Sequence, residues 1–123
     1  MTTTLIANAR IFDGTGREPF DGDLRIEGNR IAAVTPGGGD TTPVERRIDA
    51  GGRFLMPGMT EGHAHLSFDS FTCTEDLIAP PPEEHTLLTA RVAKTLLDNG
   101  FTSAYSASEA KLRLAVAVRN EVD

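Results

Sequence analysis

The chain has 123 residues, 39% of them hydrophobic and 24% charged, which suits one ordinary domain or two small ones with a buried core and excludes a large multi-domain assembly. Twelve basic against eighteen acidic residues give a net charge of −6, and the basic ones are scattered, which argues against nucleic acid as a partner. No apolar run approaches the ~18 residues that span a bilayer, the start lacks a signal-peptide pattern, and the single Cys73 cannot close an internal disulfide, so a soluble cytoplasmic protein without membrane contact is expected.

The first half reads as strands punctuated by turns. An apolar run Leu5-Ile6-Ala7 with Ile11-Phe12 leads into a turn at Asp13-Gly14-Thr15-Gly16. Strands over Asp23 to Glu27 and Arg30 to Val34 flank Gly28-Asn29, a two-residue hairpin signal. The alternation predicts that Leu24, Ile26, Ile31 and Ala33 face a common core while Arg25, Glu27 and Arg30 face water. Pro36 to Pro43, with three consecutive glycines, is a loop. A second strand pair is predicted over Val44 to Ile48 and Arg53 to Met56, joined through Asp49-Ala50-Gly51-Gly52, which completes a small all-β unit over residues 1–57.

After Pro57-Gly58 the pattern changes. Met59 to Leu66 reads as a short extended segment, followed by a long loop ending in Pro80-Pro81-Pro82. From Glu83 to Asn99 apolar residues recur at helical spacing, Leu88, Val92 and Leu96 with Leu87 and Leu97 beside them, acids occupy the first turn and Gly100 provides the stop. Phe101 to Ala107 reads as a strand and Ser108 to Val122 as a helix with Ser108 as N-cap. Strand, helix, strand, helix predicts a parallel sheet with right-handed crossovers over residues 58–123.

The stretch with most chemistry is Pro57-Gly58-Met59-Thr60-Glu61-Gly62-His63-Ala64-His65-Leu66. Residues two apart on a strand share a face, so His63 and His65 would present two imidazoles side by side, a geometry that suits one zinc-like ion and leaves positions open for water and substrate. Taken alone, such a pair is a weak signal, and two histidines in a polar loop are the plainer reading. Phe68 and Phe71, in the loop after it, either shape an apolar pocket or pack inside the loop. Cys73 has no adjacent base and reads as a small hydrophobe, His85 among acids reads as a solvated surface histidine, and Asp69, Glu75 and Asp76 read as solvated charges.

A series of segments then carries a family resemblance. Ala9-Arg10-Ile11-Phe12-Asp13-Gly14, the Gly28-Asn29-Arg30-Ile31 hairpin, and Asp49-Ala50-Gly51-Gly52-Arg53-Phe54-Leu55-Met56-Pro57-Gly58 leading into His63-Ala64-His65 resemble the metal-dependent amidohydrolases, most closely the imidazolonepropionase-like and Xaa-Pro dipeptidase-like branch, over nearly the whole chain. The resemblance implies an α/β fold in which residues 1–57 belong to a small β-sandwich domain and residues 58–123 form the first two βα units of a (β/α)8 barrel. It implies that His63 and His65 ligate the more buried of one or two divalent metal ions, zinc foremost. The family pattern has Asp where Glu61 stands, which makes Glu61 a candidate for orienting a ligand from outside the metal's own shell or for a purely structural role. Its second strand commonly reads T-T-V-R-D, whereas here Thr102-Ser103-Ala104-Tyr105-Ser106 stands, so Tyr105 either lines the site in place of the Arg-Asp pair or packs against a helix.

A complete barrel takes about 250 residues, far more than follow Gly58, and two histidines fall short of the three or four protein ligands of a catalytic metal. The expectation is therefore an N-terminal segment of a hydrolase that cleaves a C–N bond in a small amide, peptide or cyclic amide by metal-activated hydroxide. The general base and remaining ligands are expected on a separate chain produced by cleavage, a split gene or truncation, within a homo-oligomer. The competing expectation is a non-catalytic binding or assembly module with an incomplete metal site.

Overall fold

A computed structural model describes residues 2–69 and 71–122. Met1, Ser70 and Asp123, which the ranges above include, lie outside the described residues. The chain divides into two compact units, Met1–Pro57 and Gly58–Asp123.

In the first unit, strand β1 (Thr3–Ile11) is the hub of a five-stranded sheet. Strand β2 (Phe20–Glu27) pairs with it antiparallel, and β3 (Arg30–Pro36) adds to β2 through the Gly28-Asn29 turn, where Gly28 takes φ +62°. Every second residue of β1 from Leu5 to Ile11 is buried, together with Leu24 of β2. The register of the hairpin departs from strict alternation. Leu24 stands opposite Val34 and Ile26 opposite Ile31, but a bulge between them places Ala33 opposite Arg25. One extra residue in one strand inverts the alternation beyond it. The expected core set is corrected accordingly, since Ile31 is 66% exposed and Ala33 lies on the side of Arg25. Arg25 is half-buried and pairs with Glu27 and, at 3.3 Å, with Asp40.

Strands β4 (Arg46–Asp49) and β5 (Phe54–Leu55) both run parallel to β1, so their predicted pairing with each other is also corrected. The connection between them gives its hydrogen bonds to β1. Ala50 N–H donates to Ala7 O at 2.8 Å and Gly52 N–H to Asn8 O at 2.7 Å, so the chain steps along β1 instead of turning back on β4.

Asp23, only 3% exposed, fastens this unit. Its carboxylate accepts backbone N–H bonds from Asn8 at 3.0 Å, Gly39 at 2.9 Å and Asp40 at 3.0 Å. Burial pushes its pKa up, but the bonds from Asn8, Asp40 and Gly39 and the charge of Arg47 outweigh burial, and the net shift is downward. Because the folded value lies below the unfolded one, the carboxylate's contribution is complete above the unfolded pKa of about 4 and is lost as pH falls through the folded value. Asp23→Ala is expected to cost about 3 kcal/mol, because three N–H groups lose an ionised acceptor. Chemical denaturation from pH 3 to pH 7 checks both statements. A variant as stable as the parent, or one with the same acid sensitivity below about pH 4, would contradict them.

In the second unit, β6 (Met59–Ala64) and β7 (Phe101–Ser106) form a two-stranded parallel sheet. The segment between them holds α1 (Thr74–Ile78), inside the stretch expected to be loop, and α2 (Pro82–Asp98), and α3 (Leu114–Val122) follows β7. Helix α2 has Pro82 in its first turn, where a missing N–H costs no hydrogen bond, with Glu83 and Glu84 beside the positive end of the helix dipole. Gly100, at φ +90°, turns the chain out of it. Helix α3 begins six residues later in the chain than Ser108, and Ser108 caps no helix there: Arg113 sits at φ +70°, and residues 107–113 form a loop whose polar groups reach back to the segment after β6.

Gly58 precedes β6 where the register steps from Met59↔Phe101 to Thr60↔Ser103, leaving Thr102 bulged toward it. A Cβ on Gly58 would stand 2.1 Å from Thr102 Oγ1 and 2.7 Å from Thr102 Cβ, a clash that rotating the threonine cannot relieve. Gly58→Ala is expected to lower stability by about 2 kcal/mol through overpacking, and Thr102→Gly in the same chain to recover most of it, as read from thermal midpoints. Among the described residues no helix is long and apolar enough to cross a membrane.

Candidate metal centre

The second irregularity of the β6–β7 register lies between Glu61 and Ala64, where β6 has one residue more than β7. Bulges re-aim side chains, and this one falls at Gly62-His63, just before the strand ends. His63 is exposed, whereas His65, the first residue after β6, is half-buried. Their ring centres are 5.0 Å apart with the planes at 74°. Two imidazoles bound to one ion through nitrogens at about 2.1 Å and a tetrahedral angle would have centres about 5 Å apart, which matches the spacing of these two rings.

The environment of His65 sets its tautomer. Its Nδ1 lies 3.3 Å from the carbonyl oxygen of Ser108, which can only accept, so in the neutral ring the proton sits on Nδ1 and Nε2 is the nitrogen with a lone pair to offer. Phe68 stacks on the same ring with centres 4.6 Å apart and planes at 15°. The segment is tied to the loop after β7 by Ala107 N–H donating to Ala64 O at 2.8 Å and by Ala110 N–H donating to Ser67 Oγ at 2.8 Å. Glu61 Oε1 accepts the backbone N–H of His63 at 3.0 Å, so this carboxylate acts on the strand backbone. Tyr105, on β7, is 69% exposed.

His85 is placed differently from expectation, whereas Glu75 and Asp76 are exposed as expected. His85 is not a solvated surface residue: it is fully buried on α2, with Nε2 2.8 Å from Ser67 O and Phe71 edge-on to its ring at 6.2 Å. The acids beside it at the helix start mask the signal that was present, its place with Thr89 four residues on, along the buried side of α2. Asp69 pairs with Arg91, and Asp76 accepts the Thr72 hydroxyl at 2.8 Å. Cys73 is exposed.

Among the described residues no group of three or more His, Cys, Asp and Glu side chains stands close enough to hold a metal. The two imidazoles amount to half of a tetrahedral set. An open apolar cleft of about 920 Å³, lined in part by Leu87, Leu97, Phe101, Val118 and Val122, lies between α2, β7 and α3 and includes neither histidine.

Fold and site together define a mixed α/β chain with a histidine pair at the carboxyl end of a parallel strand. No protein-family model matches it. Over 61 residues the chain is 39% identical to an N-acyl-D-glutamate deacylase of Alcaligenes xylosoxydans xylosoxydans, covering 50% of this chain and 12% of that protein. Over 99 residues it is 31% identical to an adenine deaminase of Listeria monocytogenes serotype 4b, covering 80% of this chain and 14% of that protein. The crystal structure of a Xaa-Pro dipeptidase with bound methionine in the active site superposes with a TM-score of 0.85 at 21% identity, over 98% of this chain and 30% of that one, a likeness of fold. These matches support the amidohydrolase superfamily, over part of the N-terminal region of its members. It spans 12% and 14% of the length of the two curated relatives, whose names denote hydrolysis of C–N bonds.

Proposed function

We propose that this chain contributes two metal ligands, His63 and His65, to an enzyme that hydrolyses a C–N bond in a small amide, peptide or cyclic amide. The observation that carries the reading is the Ser108 carbonyl against His65 Nδ1, which assigns Nε2 as the ligating nitrogen of the neutral ring, with the His63 ring 5.0 Å away. A divalent ion bound there, zinc foremost, would supply Lewis-acid activation of water and of the scissile carbonyl. The chain's own groups hold the site in shape. Glu61 fixes the backbone at His63, Ser108 fixes the tautomer of His65, and Phe68 gives His65 an apolar wall. In this reading residues 1–57 form part of a β-sandwich and residues 58–123 the first two βα units of a (β/α)8 barrel. Residues outside this chain supply the further ligands and the acid-base group that protonates the leaving nitrogen.

The test is metal content and hydrolysis of the protein purified natively, with any co-purifying chain retained. N-acyl amino acids, dipeptides and cyclic amides serve as substrates, before and after chelation. Zinc-dependent release of amine supports the reading. A protein that holds no divalent metal and hydrolyses none of the three classes would be a binding or assembly module, in keeping with the two-ligand set among the described residues.

A further inference from the structure

Behind the histidine pair lies a buried polar node that the proposed chemistry does not use. His85 is 0% exposed, and both of its ring nitrogens are engaged. Nε2 lies 2.8 Å from the carbonyl oxygen of Ser67, which can only accept, so Nε2 carries the proton. Nδ1 is then an acceptor, and the group facing it at 3.1 Å is the Nζ of Lys111, which also donates to the carbonyl oxygen of Ile78 at 2.8 Å. The ammonium has donors only, the imidazole in this tautomer has one donor and one acceptor, and the two carbonyls accept, so every bond of the chain Ile78–Lys111–His85–Ser67 has one permitted direction.

Four segments converge on this node: the residues after β6 through Ser67, the end of α1 through Ile78, α2 through His85 and the loop after β7 through Lys111. Ser67 is itself 1% exposed, and its hydroxyl takes the Ala110 N–H at 2.8 Å. Ser67 stands two residues after His65, and Lys111 three residues after Ser108, whose carbonyl sets the His65 tautomer. Ser67 is thus joined to the segment that carries His65, and Lys111 to the loop that carries Ser108, one on each side of the His65–Ser108 bond. A buried donor or acceptor that loses its partner forfeits its full solvation, so the node has strong reason to stay closed.

We propose that His85 and Lys111 are positioning residues for the His63–His65 pair, acting through Ser67 and the Ser108 loop to hold His65 with its Nε2 free. This deepens the proposed metal centre and rests on it in the cobalt arm of the test alone. The purified protein and its Lys111→Met, Lys111→Arg, His85→Gln and His85→Phe variants are compared in two ways. Long-range 1H–15N spectra report the tautomers of His85 and His65 and the exchange of the Ala110 amide without any metal, and titration with Co2+ reports affinity and ligand-field spectrum. The parent should show His85 protonated on Nε2 and His65 on Nδ1. Lys111→Met should speed exchange of the Ala110 amide and weaken Co2+ binding by about tenfold each, the scale of one net buried hydrogen bond, with altered His65 resonances. Lys111→Arg, which keeps the donors, should return both to within about twofold. His85→Gln retains a donor toward Ser67 and should fall between the parent and His85→Phe. Should His85→Phe fail to fold, Lys111→Met still decides, because Lys111 is half-buried and its removal leaves His85 in place. Unchanged His65 resonances and Ala110 exchange in a folded Lys111→Met protein would overturn the inference, whatever cobalt does. Cobalt that binds the parent and a His63→Ala variant alike would count against the proposed metal centre, while the exchange measurements continue to decide this inference.

Discussion

Replacement of His65 by alanine is expected to reduce metal occupancy and kcat/KM of the completed enzyme by more than about a hundredfold, exceeding the 10–100-fold typical for partners that only orient a ligand. The variant loses the imidazole together with its bond to Ser108 and its stacking on Phe68, so the loop after β6 loses two anchors besides the ligand. His63→Ala should approach the same loss of metal while leaving that loop in place, since the Ala107–Ala64 and Ala110–Ser67 bonds do not involve His63. Metal content by atomic emission and steady-state rates across the three substrate classes check this. Full metal and full turnover in both variants would remove the histidine pair from the site.

The polypeptide of residues 1–123, expressed alone, is expected to lack a single cooperative unfolding transition as a soluble monomer. The buried apolar set among the described residues is Leu5, Ala7, Ala9, Ile11, Leu24, Ala64, Leu66 and Leu114, in which the alanines contribute little area. Large side chains stay in water in both units: Phe54 at 68% and Ile31 in the first, Leu87 at 73% and Val122 at 77% around the apolar cleft of the second. Each such side chain left exposed forgoes about 1.5–3 kcal/mol, and several together match the 5–15 kcal/mol that stabilises a whole domain. Among the described residues the parallel pair β6–β7 also leaves both outer edges unpaired, although parallel sheets are normally buried and flanked. In the proposed reading, barrel units supplied from outside residues 1–123 would cover the cleft and edges and bring further ligands toward His63 and His65. Near-UV circular dichroism, thermal unfolding and size-exclusion chromatography decide the matter. A monomer with one sharp transition would contradict the expectation and favour a self-standing module.

Much of the local structure was legible without coordinates because it depends on residues close in the chain. Gly28-Asn29 dictates a tight turn wherever the hairpin docks, and Pro82, the two acids and Gly100 bound α2 by backbone and dipole effects. The change of pattern after Pro57-Gly58 was likewise visible, from the turn-punctuated strands before it to a segment that reaches helical spacing from Glu83 onward.

What the linear pattern could not supply were choices that depend on distant partners. Bulges at Arg25/Ile26 and Glu61/Ala64 shift the register by one residue, and such a shift costs no change in composition while it reverses which side chains face inward. Strands β4 and β5 could pair with each other or with β1 on sequence alone; β1 prevails because it also accepts the hydrogen bonds of the glycine connection between them. Ser108 has the chemistry of an N-cap, yet its use is to present a carbonyl to His65 across 43 residues. His85, among acids at a helix start, has the surroundings of a surface residue until folding brings Ser67 and Lys111 against its two nitrogens. By itself the sequence determined most of the strands, helix α2, the histidine pair and the family resemblance, because these are set by local backbone and spacing. Tertiary structure alone decided the strand register, the tautomer of His65 and the burial of His85, because each of these is fixed by a hydrogen-bond partner far away along the chain.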